Sequence, residues 1–264
     1  MILLIILGIL LILYLFKKKK IIKPYLFMYW QGIMPNYIKL CIKTIYKYFN
    51  NDFKKKFLNE NSQEIKHLRK DINKLGIAQK ADYIRYYLLY TYGGAWIDVD
   101  TIILRDLKPI INKLQYYDYI GFGCTGKTCF NGYPRPSNWI MFAQKNSKLM
   151  KKCLEIADNL LDNNNLQDNY HSMGKHIIWK AIQSIPFYKY YHYDDKYFIH
   201  RDDNGHWISH KFHILTQADL NNKQPFFAII HNSNIDDEFK KKSIKEIIEH
   251  NSLLGQFLRK NLIN

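Results

Sequence analysis

Apolar residues recur at helical spacing between positions 77 and 92. They are Ile77, Ala81, Ile84, Leu88 and Tyr92. This i, i+4, i+7, i+11 spacing is typical of a helix with one buried stripe. Gly93 and Gly94 follow at once, and glycine commonly ends a helix. A short apolar run comes next. The pattern therefore predicts a helix, a glycine turn and a short strand, in that order.

The rest of the chain predicts further helices and strands. Residues 36–49 fit an amphipathic helix, and helices are also expected over 54–75, over 146–161 and in the tail from Ser243. Strands are expected over 118–122 and 138–142. A chain of 264 residues in which 47% are hydrophobic can fill the core of one α/β domain.

Two carboxylates follow the short strand, at Asp98 and Asp100. Aspartate is disfavoured in strands, so a pair at a strand end is better explained by a ligand than by folding. Hard oxygen ligands suit Mg²⁺ or Mn²⁺, which proteins commonly hold with one or two carboxylates plus substrate phosphates. The pattern indicates a site for a divalent cation and a diphosphate.

The upstream helix carries Asp82 and Arg85, which are three residues apart and so share one side of it. Two interpretations stay open from the spacing alone. The pair either belongs to the site at Asp98 and Asp100, or it is a surface ion pair of little energetic value.

Residues 81–100 resemble glycosyltransferases that contain an Asp-x-Asp sugar-binding region, a family that includes capsular polysaccharide synthesis enzymes and initiating mannosyltransferases (the glycosyltransferase family 32 type). Residues 28–35 are similar to the first strand and nucleotide loop of the capsular group. The resemblance implies a GT-A-like, Rossmann-type nucleotide-binding fold with a mixed sheet over residues 21–264. It also implies a hexosyltransferase that uses a UDP- or GDP-sugar and a glycan, lipid-linked or protein acceptor.

The resemblance also implies roles for individual residues. Asp82 and Arg85 would bind hydroxyls of the donor sugar, Asp98 would contact the ribose or sugar, and Asp100 would ligate Mn²⁺ or Mg²⁺. Trp30 would lie near the nucleotide base, and Asn138 would face the donor. Catalysis is expected of Asp98, Asp100 and Arg85.

A C-terminal metal or diphosphate ligand is also expected in such enzymes. His231 is the candidate because it follows an apolar, strand-like run, with Asn232 and Ser233 as possible partners. An ordinary loop histidine is the alternative. The resemblance further implies retention of the donor's anomeric configuration. No carboxylate can be assigned as a nucleophile, and a front-face mechanism would need none.

Two rival functions deserve comparison. Haloacid dehalogenase-type phosphatases also begin from Asp-x-Asp, but they prefer Thr or Val where this chain has Ile102, and they need a longer apolar strand. An inactive sugar-binding or scaffold protein on the same fold is the non-enzymatic alternative.

Lysine and arginine outnumber the acids by 39 to 23, which gives a net charge of +16. This excess would attract anionic lipids or phosphorylated donors. Nucleic-acid binding is not expected, because the lysines are scattered or in short runs and no nucleic-acid motif accompanies them.

Residues 1–16 carry no charged side chain and are followed by four lysines, Lys17 to Lys20. A signal peptide would have a basic start and a cleavage site. Residues 1–20 are therefore predicted to form an uncleaved, single-pass membrane anchor, and the lysines place the catalytic domain on the cytosolic side.

Four cysteines give no persuasive site. Cys41 and Cys153 fall within helical patterns and are expected in the core. Cys124 and Cys129 lie in a glycine-rich loop, and whether they pair stays open.

Overall fold

The computed structural model describes residues 23–49, 52–124, 135–163, 172–194, 197–202, 204, 206–218 and 225–263. The strands in these ranges are β1 (Tyr25–Tyr29), β2 (Lys54–Leu58), β3 (Gly94–Ile97), β4 (Thr101–Ile103), β5 (Tyr119–Cys124), β6 (Arg135–Ala143), β7 (Tyr190–Tyr193), β8 (Phe198–Ile199) and β9 (Phe227–Ile229). The helices are α1 (Asn36–Tyr48), α2 (Ile77–Tyr92), α3 (Lys108–Ile111), α4 (Lys148–Asp162), α5 (Lys175–Ser184), α6 (Asp237–Lys241), α7 (Ile244–Glu249) and α8 (Leu253–Leu262).

The main sheet has the strand order β2-β1-β3-β6-β5-β7. Strand β1 runs parallel to both β2 and β3. Strand β6 runs antiparallel to its neighbours β3 and β5, and β7 is parallel to β5. The fold is therefore mixed α/β with a mixed sheet, as the sequence predicted.

The central strands of this sheet are covered on both faces. Side chains alternate between faces along a strand, so Leu26 and Met28 of β1 enter one core cluster while Phe27 enters the other. Helices α2, α4 and α5 supply the second cluster, and α1 with the C-terminal helices supplies the first. Double burial of this kind matches the nearly continuous apolar composition of β1 and β3.

A smaller sheet has the order β4-β9-β8, with β4 antiparallel and β8 parallel to β9. The chain leaves the main sheet at the end of β3 and enters the small sheet at Thr101. The three residues of the Asp-x-Asp motif connect β3 of the main sheet to β4 of the small sheet. They thus lie beyond the carboxyl end of β3, beside the carboxyl end of the parallel strand β1, where ligands commonly bind in open α/β sheets.

The turn before β3 requires glycine at two positions. Gly93 has φ of 68° and Gly94 has φ of 109°, and both values disfavour residues with a side chain. A Cβ on Gly94 would lie 2.2 Å from the carbonyl oxygen of Tyr25 in β1. The predicted end of α2 at these glycines is confirmed, and their small size lets β3 pair closely with β1.

Residues 54–75 do not form the predicted helix. They begin with strand β2 and continue into short 3-10 turns at Gln63–Ile65 and Lys70–Lys74. The spacing of charged and apolar residues suggested a helix, but residues 54–58 pair in parallel with β1 at the edge of the sheet. Lysines on an edge strand discourage pairing with other chains.

The predicted buried stripe of α2 needs one correction. Ile84 and Leu88 are fully buried, whereas Ile77 is exposed at the first turn of the helix. The predicted core cysteines, Cys41 and Cys153, are buried and free. Cys129, and with it the question of a pairing to Cys124, lies outside the described residues.

The predicted single-pass membrane anchor is contradicted. Within the described ranges, no helix is both long and apolar enough to cross a bilayer. The longest of them, α2, has 16 residues, including Lys80, Asp82 and Arg85. At about 1.5 Å per residue it falls short of a hydrocarbon core of about 30 Å. Residues 1–20 themselves lie outside those ranges.

Candidate active site

The backbone on both sides of the Asp-x-Asp motif is held by neighbouring strands. The amide of Asp98 donates to the carbonyl of Trp139 in β6 at 2.8 Å. The carbonyl of Asp100 accepts from the amide of Ile230, which follows β9, at 2.9 Å. The two carboxylates are therefore positioned between the main sheet and the small sheet.

Arg85 joins α2 to the first carboxylate of the motif. Its Nη2 lies 3.1 Å from Oδ1 of Asp82 and 3.2 Å from Oδ1 of Asp98. The side chains of Arg85 and Asp82 are only 4% and 7% exposed. The interpretation of Asp82 and Arg85 as a surface ion pair is therefore wrong: the pair is buried and belongs to the Asp98 cluster.

Asn138 completes this cluster from β6. Its Nδ2 donates to Oδ1 of Asp82 at 2.6 Å, and its carbonyl accepts from Nη1 of Arg85. Gly174, just before α5, lies against the same groups, because a Cβ there would be 3.0 Å from Oδ2 of Asp82 and 2.9 Å from Nδ2 of Asn138. Three elements thus fix one network of a cation, two carboxylates and an amide.

Trp96 supports Asp98 from within β3. Its indole Nε1 donates to Oδ1 of Asp98 at 2.7 Å. Its ring also lies under Arg85, with Cζ 4.9 Å from the ring centroid, which is within the range of a cation–π contact. Oδ1 of Asp98 therefore accepts from two donors, and its orientation is fixed.

Asp100 has different surroundings. Its Oδ2 accepts from the backbone amide of Asn232 at 3.2 Å. No lysine, arginine or histidine in the described ranges forms an ion pair with it. Partial desolvation, and next the charge of Asp98, raise the pKa of Asp100 above its usual value. The carboxylate is partly buried, so its charge is incompletely solvated, and a bound divalent cation would compensate that charge.

The other two carboxyl groups are also shifted. Burial raises the pKa of Asp82 to about 7, although the Arg85 charge opposes the shift. Burial raises the pKa of Asp98 as well, against the opposing effects of Arg85 and the Trp96 hydrogen bond. A shifted carboxyl group on α2 beside two more at the end of β3 is typical of a functional site.

His231 lies between the two residues whose backbone amides donate to Asp100. The ring contacts those of Trp139 and His210, with centroids 5.7 and 4.5 Å away. In the part of the chain that the structure describes, no three His, Cys, Asp or Glu side chains converge as a metal-binding group. The role of His231 as a metal ligand stays a prediction.

Trp30 makes no hydrogen bond to the carboxylate cluster among the residues described. It follows β1 and lines a cleft of about 440 Å³ beside the ends of β1 and β2, together with Met34, Phe57 and Glu60. Its indole Nε1 is buried and has no hydrogen-bond partner among the residues described. The predicted contact of Trp30 with a nucleotide base stays a prediction.

Sequence reasoning missed Trp96, Gly174 and Tyr37. Trp96 is two residues before Asp98. Because side chains alternate between the two faces of a strand, residues two apart share a face, and this spacing could have predicted the contact between Trp96 and Asp98. Tyr37 donates its hydroxyl hydrogen to Oδ1 of Asn232, a contact across 195 residues that no local pattern indicates.

Residues 28–117 match a family model described as "Glycosyltransferase sugar-binding region containing DXD motif". The matched segment contains Trp30, Asp82, Arg85 and the Asp-x-Asp motif, whereas Asn138 and His231 lie outside it. The chain therefore carries a glycosyltransferase sugar-binding region with a DXD motif, and its enzyme class is glycosyltransferase. The family resemblance and the enzyme class that the sequence predicted are both confirmed. No curated protein matches the chain.

Several solved structures are similar to this chain at low identity. PaToxG glycosyltransferase is 18% identical with a TM-score of 0.47, over 62% of this chain and 70% of that one. A glycosyltransferase involved in glycosylation of the major capsid of PBCV-1 is 15% identical with a TM-score of 0.44, over 83% and 99%. Apo-form GlyE of Streptococcus pneumoniae TIGR4 is 14% identical with a TM-score of 0.49, over 90% and 63%. All three scores are below 0.5, so the fold assignment rests on the strand order described above.

Proposed function

We propose that this chain is a divalent-cation-dependent glycosyltransferase of GT-A-like fold. It transfers a sugar from a UDP- or GDP-sugar to a glycan, lipid-linked or protein acceptor, with retention of the anomeric configuration. The observation that supports this most is Asp100, a partly buried carboxylate beside the carboxyl ends of parallel strands that has no ion-pair partner among the residues described. The adjacent Asp98, by contrast, is paired with Arg85.

The chain supplies one suitable oxygen ligand for Mn²⁺ or Mg²⁺, and other groups would fill the remaining coordination positions. Asp100 supplies hard oxygen, which both ions prefer. A Mn²⁺ or Mg²⁺ ion is commonly held by one or two carboxylates together with substrate phosphates. When bound, such a cation would neutralise charge on the departing diphosphate as a Lewis acid. His231 is the proposed second protein ligand.

The remaining residues bind and orient the donor. We assign Trp30 and its cleft to the nucleotide base, because an indole offers a flat face for stacking. Asp82, Asp98 and Asn138 form one connected hydrogen-bonded network that would meet the sugar and ribose. Arg85 is almost fully buried between the carboxylates, which favours a role in positioning them. Such preorganised groups need little rearrangement during the reaction.

Donor hydrolysis tests the proposal. A panel of UDP- and GDP-sugars is incubated with the protein, with and without Mn²⁺, and the released nucleoside diphosphate is measured. Turnover with at least one donor should require the cation. Asp100→Asn should lose at least about 100-fold of that turnover, the scale of an electrostatic group in a site. Asp237→Asn is the matched control, because Asp237 is exposed and pairs only with Lys240 among the residues described.

The rival functions give different results. A phosphatase would release inorganic phosphate from simple monoesters, and a scaffold would bind sugar without turnover. If Asp100→Asn retained full cation-dependent turnover, the assignment of Asp100 would be wrong.

A further inference from the structure

Asn232 lies beside Asp100 and is held at two points. Its backbone amide donates to Oδ2 of Asp100 at 3.2 Å. Its side-chain Oδ1 accepts from the hydroxyl of Tyr37. The two contacts fix both the position of Asn232 and the rotation of its side-chain amide.

Tyr37 is itself firmly placed. It is the second residue of α1 and is fully buried. Its ring meets the ring of Phe239 edge-on, with centroids 6.2 Å apart. The preceding Asn36 donates from Nδ2 to the carbonyl of Lys242 at 3.0 Å. These contacts tie the start of α1 to the C-terminal segment. Burial, and then the charge of Asp100, hold the pKa of Tyr37 above its usual value, so the hydroxyl keeps its proton and donates.

The direction of the Tyr37 hydrogen bond decides which end of the amide remains available. The amide oxygen of Asn232 is engaged, so the Nδ2 group carries the remaining donors. Within the described ranges this Nδ2 has no hydrogen-bond partner. Reversing the amide would leave the buried hydroxyl hydrogen of Tyr37 without an acceptor, which is unfavourable.

We propose that Asn232 binds a phosphate oxygen of the donor diphosphate through its amide nitrogen, and that Tyr37 is the positioning residue that turns this nitrogen toward the phosphate. The inference rests on the proposed function. An N–H group suits an anion, whereas a metal ion would need the amide oxygen, which already faces the partial positive charge of the Tyr37 hydroxyl hydrogen. Asn232 is thereby a diphosphate ligand next to the cation ligand Asp100.

Binding of UDP and of GDP is measured by calorimetry at saturating Mn²⁺, and binding of Mn²⁺ alone is measured separately. Tyr37→Phe removes only the hydroxyl and should weaken nucleoside diphosphate binding about fivefold to tenfold, the scale of one hydrogen bond. Asn232→Asp keeps the shape and the acceptor for Tyr37 but replaces the N–H donor with negative charge. It should weaken nucleoside diphosphate binding by more than about tenfold and should not weaken binding of Mn²⁺ alone.

Tyr48→Phe is the matched control. Tyr48 is on the same helix, and its hydroxyl donates to the carbonyl of Leu104 at 3.0 Å, away from Asp100. Its removal should leave both affinities unchanged. Where Tyr37→Phe does not fold, as judged by circular dichroism, the half-exposed Asn232→Asp decides the outcome.

The outcomes separate this inference from the proposed function. If the unaltered protein binds neither UDP nor GDP in Mn²⁺, the proposed function fails. Suppose that the unaltered protein binds UDP or GDP and that Asn232→Asp binds the same nucleotide equally well or better. This inference alone is then overturned. A strengthened affinity of Asn232→Asp for Mn²⁺ would in that case indicate that the amide oxygen of Asn232 is a metal ligand. Equal nucleoside diphosphate affinity in folded Tyr37→Phe would likewise overturn the positioning role.

Discussion

Replacing Arg85 by methionine tests the buried charge network directly. Methionine is similar in length to arginine but carries no charge, so Asp82 and Asp98 would lose the cation that lies 3.1 and 3.2 Å away. The variant also loses the hydrogen bond to the carbonyl of Asn138. We expect that loss to cost about 1–3 kcal/mol of unfolding free energy at any pH.

The pH dependence of the loss is the more specific prediction. In the unaltered protein the pKa of Asp82 is raised to about 7, against about 3.9 in an unfolded chain. The folded state holds a proton that the unfolded state has lost, so stability falls as pH rises from about 4 to about 7. A shift of about three pKa units corresponds to about 4 kcal/mol. Above pH 7 the ionised Asp82 is paired with Arg85, and stability levels off.

Without Arg85 the pKa of Asp82 should rise further, since the Arg85 charge opposes the shift. Stability should then keep falling above pH 7, by about 1.4 kcal/mol per pH unit for Asp82 alone. The gap between the two proteins should therefore widen by about 2 kcal/mol between pH 7 and pH 8.5. Asp98 acts in the same direction, because Arg85 lowers its pKa too.

Urea unfolding of both proteins at pH 6.0, 7.0 and 8.5 gives the required free energies. Arg259→Met is the control, because Arg259 donates to the carbonyls of Ile248 and His250 rather than to carboxylates. Its stability loss should not depend on pH. If the curves for Arg85→Met and the unaltered protein stay parallel from pH 6.0 to 8.5, the reasoning about the buried pair is refuted.

Three further predictions concern other parts of the fold. Burial lowers the pKa of His192 to about 4. The unfolded chain therefore takes up a proton that the folded state does not, and the unfolding free energy should fall as pH drops from about 6.5 to 4, by about 3 kcal/mol at most. His192→Phe should remove this part of the acid sensitivity in urea titrations. Gly94→Ala should lower the unfolding free energy by more than about 3 kcal/mol, because a Cβ meets the carbonyl of Tyr25 at 2.2 Å. Gly32 has φ of 86° but open space around it, so Gly32→Ala should lower the unfolding free energy by only about 1–2 kcal/mol in the same assay. Trp30→Ala should weaken UDP or GDP binding in calorimetry by about tenfold and leave binding of Mn²⁺ alone unchanged.

Much of the central fold could be predicted because local periodicity decides it. Helix α2, the glycine turn and strand β3 follow from apolar spacing and from glycine's conformational freedom. The segment 54–75 shows where this reasoning fails. Its strand β2 exists because β1 offers an open edge, and pairing with a distant strand is not encoded in local spacing.

The candidate site divides in the same way. Asp82, Arg85, Asp98 and Asn138 were predicted separately, and the structure brings them into direct contact. The burial of Asp82 and Arg85 was not predictable, since separate elements enclose them. The Tyr37 contact joins the first helix to a segment 195 residues away. Such contacts depend on the whole fold, so sequence patterns could indicate Asn232 but not the residue that orients it.

Diffraction from crystals grown with Mn²⁺ and a nucleoside diphosphate tests the central claim most directly. Anomalous scattering from manganese locates the ion without reference to the protein. The account predicts a single strong peak within coordination distance of a carboxylate oxygen of Asp100 and of a diphosphate oxygen. A manganese peak bound elsewhere, with Asp100 bonded only to protein atoms, would contradict it.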